Sequence, residues 1–285
     1  MALKALNGAR LNVEEWGTPL GAPLLALHGF TGSAATWRFL AGALGGAYRI
    51  LAVDALGHGG SDSPADPRLY IMPRMLQALE EALDTLDIER VHWVGYSMGG
   101  RIALSAAIAL PSRTAGLVLE SASPGLPTAR ERAARVLDDM RLADWAMQVG
   151  IEQFVDYWQA IPLWASQSRL TPDARARLRG QRLDNNVLGL ANSLRGIGTG
   201  AQPALHERLH EISAPTLFIA GEEDARSTAI AGEMQRVVAG SKLRIIKEAG
   251  HAAHLEQPAE FIKVVEGFLA EVVASSLTPL RQERR

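Results

Sequence analysis

The chain has 285 residues, of which 47% are hydrophobic and 21% charged, with a formal net charge of −2 and no cysteine. This composition suits a globular protein with a sizeable core and excludes disorder for most of the chain; the lack of cysteine excludes disulfides, thiolate metal sites and a thiol nucleophile. Near-neutral charge without a Lys/Arg block offers nothing to nucleic acid or to a membrane surface, so a small-molecule partner is expected.

The length suits two small domains or one α/β domain carrying an insertion, and the second is the expectation. Met1–Gly8 lacks the apolar run of a secretory leader, and no later stretch has the ~18 apolar residues of a membrane span, so the expected location is cytoplasmic. The first predicted element is a hairpin, with Asn7-Gly8 as the turn between Leu3–Leu6 and Leu11–Trp16, flanking the main sheet. Four short apolar runs follow, Leu24–Leu27, Ile50–Val53, Val91–Val94 and Gly116–Leu119, separated by helical patterns such as Met75–Leu86 and Arg101–Leu110. This is a βαβ rhythm, and continuous apolar runs of this length are what parallel strands buried on both faces require.

From about Ser123 to Leu209 the strand-like runs disappear and helical stretches take over, at Ala129–Val149, Ile151–Ala160 and Pro172–Leu183. Strands resume at Pro215–Ala220 and Leu243–Ile246, followed by a helix from Pro258 to about Ala274. The expected organisation is a core of residues 1–122 and 210–276, a helical cap inserted at 123–209, and a frayed tail at 277–285.

Gly95-Tyr96-Ser97-Met98-Gly99 fits the G-x-S-x-G nucleophile turn, with a predicted strand before it and a predicted helix after it, as that motif demands. A sharp strand-to-helix turn strains the serine backbone and leaves no room for a Cβ at the flanking positions. A serine hydroxyl needs a base, and the base an orienting acid, in the chain order Ser, acid, His. Asp224, at the carboxyl end of a late strand, is the expected acid, with Glu222 and Glu223 as competitors. His251, after the last strand, is the expected base, with His254 as the alternative. Two backbone N–H groups should form an oxyanion hole, that of Met98 and that of Phe30 in the loop His28-Gly29-Phe30-Thr31-Gly32. His28, His58 and His92 read as structural. His206-Glu207-Arg208-Leu209-His210 matches the zinc signature H-E-x-x-H, but Gly196–Gly200 before it and Pro215 after it leave no long buried helix, so no metal is expected.

These features predict an α/β-hydrolase fold, a mostly parallel sheet flanked by helices. Over most of its length the chain resembles the 2-succinyl-6-hydroxy-2,4-cyclohexadiene-1-carboxylate synthases of menaquinone biosynthesis. The resemblance is carried by Leu27–Ser33, Gly95–Arg101, Glu120–Leu126, Pro162–Gln167, Asn192–Gly196, Gly198–Pro203 and Ala249–Pro258. It implies a cofactor-free lyase that eliminates pyruvate from an enolpyruvyl substrate bearing three carboxylates and a ketone. It also implies carboxylate-binding arginines at Arg101, Arg135 and Arg182 and substrate-contacting aromatics at Tyr96 and Trp158. The residues themselves point the same way less sharply: between Ser123 and Leu209 there are eleven arginines, nine acids and no lysine, against a whole-chain usage of 25 arginines and 4 lysines that leaves a general arginine bias as the alternative. Guanidinium groups clasp carboxylates in a two-bond fork that lysine lacks. The triad alone leaves open an esterase or carbon–carbon hydrolase acting on a carboxylated molecule.

Overall fold

The computed structural model describes residues 2–4 and 8–277. Eight strands form one sheet: β1 (Ala2–Lys4), β2 (Arg10–Gly17), β3 (Ala22–Leu27), β4 (Tyr48–Val53), β5 (Val91–Tyr96), β6 (Thr114–Glu120), β7 (Thr216–Gly221) and β8 (Lys242–Ile246), in the spatial order β1-β2-β4-β3-β5-β6-β7-β8. β1 and β2 pair antiparallel, as do β2 and β4, and every other pair is parallel. The expected hairpin pairing is present between β1 and β2, although Asn7 of its turn lies outside the described residues.

Alternate residues along the strands feed two separate cores, because successive side chains in a strand point to opposite faces. Leu25, Leu27, Leu51, Val53, Trp93, Leu117, Leu119 and Phe218 face one way. They pack there against α2 (Met72–Thr85), α3 (Met98–Ala109) and α7 (Ala225–Val237), through residues such as Leu79, Leu83, Ile102, Ala106 and Met234. Leu24, Ala26, Ile50, Ala52, Val94, Val118, Leu217 and Ile219 face the other way, against Leu40 of α1 (Arg38–Leu44) and Phe261, Val265 and Leu269 of α8 (Pro258–Leu277). Both faces are thus covered, and β5 is buried throughout. β8, the last strand on its side, falls where Leu243–Ile246 is expected, with Arg244 and Ile245 exposed.

Between β6 and β7 the described chain is helical: α4 (Ala129–Ala160), α5 (Pro172–Leu183), α6 (Val187–Ile197) and two 3-10 segments. Thr128 and Glu131 form a reciprocal capping box that starts α4. The break expected between Val149 and Ile151 appears at Gly150, whose φ of 80° is one that other residues resist. Phe154 and Val155 of α4 then pack on Leu190 of α6 and on Phe30 from the loop after β3, which holds this segment over the carboxyl edge of the sheet. α6 was not anticipated as a helix from periodicity; Asn186, accepting from the N–H groups of Leu188 and Gly189, caps its start. Of the tail expected to fray at 277–285, Leu277 instead closes the C-terminal helix, and 278–285 lie outside the described residues.

His206–Glu211 is a 3-10 segment. With three residues per turn, His206 and His210 do not share a face as they would on an α-helix. Among the described residues no cluster of His, Asp or Glu could hold a metal ion, and no helix is long and apolar enough to cross a membrane.

Candidate active site

The strand order reverses direction at β3, so β3 and β5 lie side by side with their continuing chains diverging. In an open α/β sheet the crevice beyond the strand carboxyl ends at such a point is where ligands collect. The loop carrying Phe30 leaves β3 there, and the turn carrying Ser97 leaves β5. Ser97 has φ 51° and ψ −108°, a left-handed backbone that an L-residue adopts only when its surroundings hold it. The surroundings are backbone: a Cβ on Gly95 would meet Gly99 and Gly100, and one on Gly99 would meet Leu27 and His28. The Ser97 N–H donates to Glu120 O at 2.8 Å, pinning the turn to β6.

Three side chains form a hydrogen-bonded line. Ser97 Oγ lies 3.0 Å from His251 Nε2, and His251 Nδ1 lies 2.6 Å from Asp224 Oδ2. An ionised carboxylate only accepts, so Nδ1 carries the hydrogen and Nε2 is left to accept from the serine hydroxyl. Burial pushes the Asp224 carboxyl up, but hydrogen bonds from His251 and Ser227 outweigh it and bring the pKa down to about 2. Asp224 therefore stays ionised and keeps the imidazole in the tautomer that can take a proton from Ser97. The competing acids point elsewhere: Glu223 pairs with Arg169 at 3.0 Å, and Glu222 accepts from the Glu248 N–H. His254 is occupied too, its Nδ1 2.8 Å from the fully buried Glu120.

The line opens into a cavity of about 220 Å³ whose walls include Phe30, Tyr96, Met98, Arg101, Arg135 and Trp158. Neither the Phe30 N–H nor the Met98 N–H donates to another group among the described residues, so both are free to meet an oxygen that gains charge beside Ser97. Tyr96 is buried with its hydroxyl unpartnered, and burial raises its pKa well above the usual phenol range, so it remains a neutral donor. The Trp158 Nε1–H is likewise buried without a partner on this wall.

Arg101 is 9% exposed. Its NH1 donates to Ile197 O at 2.8 Å and to Gln202 Oε1 at 2.9 Å, and its other N–H groups have no protein acceptor among the described residues. No carboxylate neutralises it directly; burial, with repulsion from Arg135, lowers its pKa to about 10, partly offset by Asp139. It is still charged at neutral pH. Arg135 stands next to it, its Nε 2.7 Å from Asp139 Oδ1.

Arg182 is not among the walls of this cavity, although its charge acts on the buried Tyr96 hydroxyl that is. Its guanidinium carbon sits 5.3 Å over the Trp164 ring and faces a separate cavity beyond it, while the Trp164 ring also stands edge-on to His251 at 5.5 Å. The third arginine on the Ser97 cavity is instead Arg226, in the first turn of α7, exposed and without a protein acceptor among the described residues. Its signal in the sequence was only its position two residues after Asp224. His28 takes the structural role expected of it, with Nε2 accepting from the Ala55 N–H at 3.0 Å.

Residues 22–258 match the family model of the α/β hydrolase fold, so the chain is an α/β-hydrolase-fold protein. A Bacillus subtilis protein that bears the name 2-succinyl-6-hydroxy-2,4-cyclohexadiene-1-carboxylate synthase provisionally is 44% identical over 93% of this chain and 97% of its own length. The synthase of that name from Salmonella paratyphi C is 35% identical over 84% of this chain and 90% of its own. The solved structure of MenH from S. aureus superposes with a TM-score of 0.88 at 34% identity, covering 92% of this chain and 98% of that one. The chain belongs to the 2-succinyl-6-hydroxy-2,4-cyclohexadiene-1-carboxylate synthase family.

Proposed function

We infer that the protein is a lyase that eliminates pyruvate from 2-succinyl-5-enolpyruvyl-6-hydroxy-3-cyclohexene-1-carboxylate, giving 2-succinyl-6-hydroxy-2,4-cyclohexadiene-1-carboxylate for menaquinone biosynthesis. The observation that carries the reading is a buried guanidinium, Arg101, with open donors on the same cavity as the Ser97–His251–Asp224 line. A simple ester has no use for such a charge, whereas this substrate has three carboxylates.

The ring carbon bearing the succinyl group is acidified by the adjacent ketone. Ser97 Oγ, its own proton drawn by His251 Nε2, removes the hydrogen from that carbon. The electron pair forms a new ring double bond, the existing one shifts along the ring, and the bond to the enolpyruvyl oxygen breaks. The departing enolate takes up the proton held by His251 and becomes pyruvate. Charge gathers on the succinyl ketone oxygen during the first step, where the Phe30 and Met98 N–H groups can meet it. Protons and electrons balance without a cofactor, and no covalent intermediate on Ser97 is needed. Arg101 and Arg135 hold carboxylates, while Tyr96 and Trp158 donate to substrate oxygens. A multiply charged substrate does not cross a bilayer unaided, which favours the cytoplasm as the site of reaction.

The test is to offer the purified protein the enolpyruvyl substrate and a neutral aryl ester side by side. Pyruvate release far faster than phenol release supports the lyase; phenol release without pyruvate transfers the assignment to an esterase, in which Ser97 would be acylated.

A further inference from the structure

The residue after β6, Ser121, has no part in the mechanism above, yet three independent observations single it out. Its hydroxyl is buried and has no hydrogen-bond partner among the described residues, although a serine hydroxyl can turn to suit almost any neighbour. It lines the same cavity as Ser97 and His251. Its φ is 48°, in the left-handed region that glycine enters freely and serine does not. Two of the five non-glycine residues in that region among those described, Ser97 and Ser121, thus face one cavity. They are also neighbours across the sheet: the Ser97 N–H donates to Glu120 O at 2.8 Å, and the Ser121 N–H donates to Ile219 O at 2.9 Å.

For folding alone, glycine would serve better at 121, with no Cβ to strain and no hydroxyl to desolvate. An unpaired donor and an unfavourable backbone held together on a cavity wall are explained by a ligand that supplies the missing acceptor. We propose that Ser121 is a substrate-binding residue whose hydroxyl donates to a carboxylate or carbonyl oxygen of the bound substrate. The identity of the acceptor rests on the lyase reading; the presence of a ligand-binding hydroxyl does not.

Two variants separate the hydroxyl from the backbone: Ser121→Ala removes the hydroxyl and keeps the strained Cβ, and Ser121→Gly removes both. Both should lower kcat/KM for the enolpyruvyl substrate by about 10- to 100-fold, the usual effect of losing a hydrogen bond to a charged group. Hydrolysis of a neutral aryl ester should change less than twofold, and Ser121→Gly should melt no lower than Ser121→Ala. Calorimetric titration with pyruvate and with 2-(3-carboxypropanoyl)benzoate, which keeps the ring carboxylate and the succinyl arm, should show Kd for one of them rising about tenfold in both variants. The proposal is overturned if kcat/KM and both Kd values stay within twofold of wild type, or if ester hydrolysis falls in step with the lyase reaction, which would mean that Ser121 only arranges the Ser97 turn. If the unaltered protein releases no pyruvate, the lyase reading falls, and the two Kd comparisons alone decide Ser121.

Discussion

Replacing Arg101 with alanine separates the proposed reaction from its hydrolytic alternative. The side chain is 9% exposed, so a carboxylate that it holds is largely desolvated, and its removal leaves that charge unpaired. Truncating one partner of such a pair costs about 2–5 kcal/mol, roughly a 30- to several-thousand-fold loss in kcat/KM for pyruvate release. The structure also shows a cost unrelated to substrate: NH1 ties α3 to Ile197 O and Gln202 Oε1 in the helical segment. Losing those charged hydrogen bonds removes about 2 kcal/mol of stability, a fall in melting temperature of roughly 3–4 °C for a protein of this size. Arg101→Lys should recover part of the activity, because an ammonium keeps the charge but not the fork. Pyruvate release, aryl ester hydrolysis and thermal melting are measured together at a temperature where both variants are folded. Ester hydrolysis should survive in Arg101→Ala and disappear in Ser97→Ala. A folded Arg101→Ala protein that still releases pyruvate at the wild-type rate would refute the carboxylate role.

Single alanine substitutions at Ser97 and His251 should each lower turnover by about 10²–10⁴-fold, and the double variant should be little worse than either, since the two groups move one proton; additive losses would break that link. Asp224→Asn should be comparably damaging and Glu223→Gln nearly silent, and the reverse pattern in steady-state assays would move the acid to Glu223. The depressed Asp224 carboxyl, taken from 3.8 to about 2, stabilises the fold fully above about pH 4 and loses that effect as pH falls through 2. Acid unfolding followed by circular dichroism should therefore have a shallower slope over that window in Asp224→Asn. Prolonged treatment with a strong chelator should leave pyruvate release unchanged; a large loss restored by zinc would give His206 and His210 a role that the 3-10 geometry denies them.

Local signals in the chain were sufficient for much of this. The nucleophile turn was legible because its requirements are local: glycines where a Cβ would strike backbone, an apolar strand before and a helix after. The parallel strands were legible because burial on both faces forces continuous apolar runs, and the break at Gly150 because only glycine takes that φ freely. β8 was legible as a strand despite the charge of Arg244, which an edge strand tolerates because it needs burial on fewer sides.

What sequence could not decide was which of several equivalent groups meet across long stretches of chain. Glu222, Glu223 and Asp224 are three adjacent carboxylates, and only the path of the loop after β7 turns one toward His251 and another toward Arg169. His251 and His254 are three residues apart, and the buried Glu120, 134 positions earlier than His254, occupies the second. Arginine abundance in the helical segment suits an anionic ligand or a general arginine bias, and does not mark the residues that face the site, because a guanidinium on a long stem goes where packing allows. Arg182 lies against Trp164 in another cavity, while Arg226, from outside that segment, lines the one with Ser97. Ser121 lies within Glu120–Leu126, a segment that carries the family resemblance, but nothing local marks its hydroxyl; a backbone angle and an unmet hydroxyl become visible only once the tertiary structure has removed the water that would otherwise satisfy them.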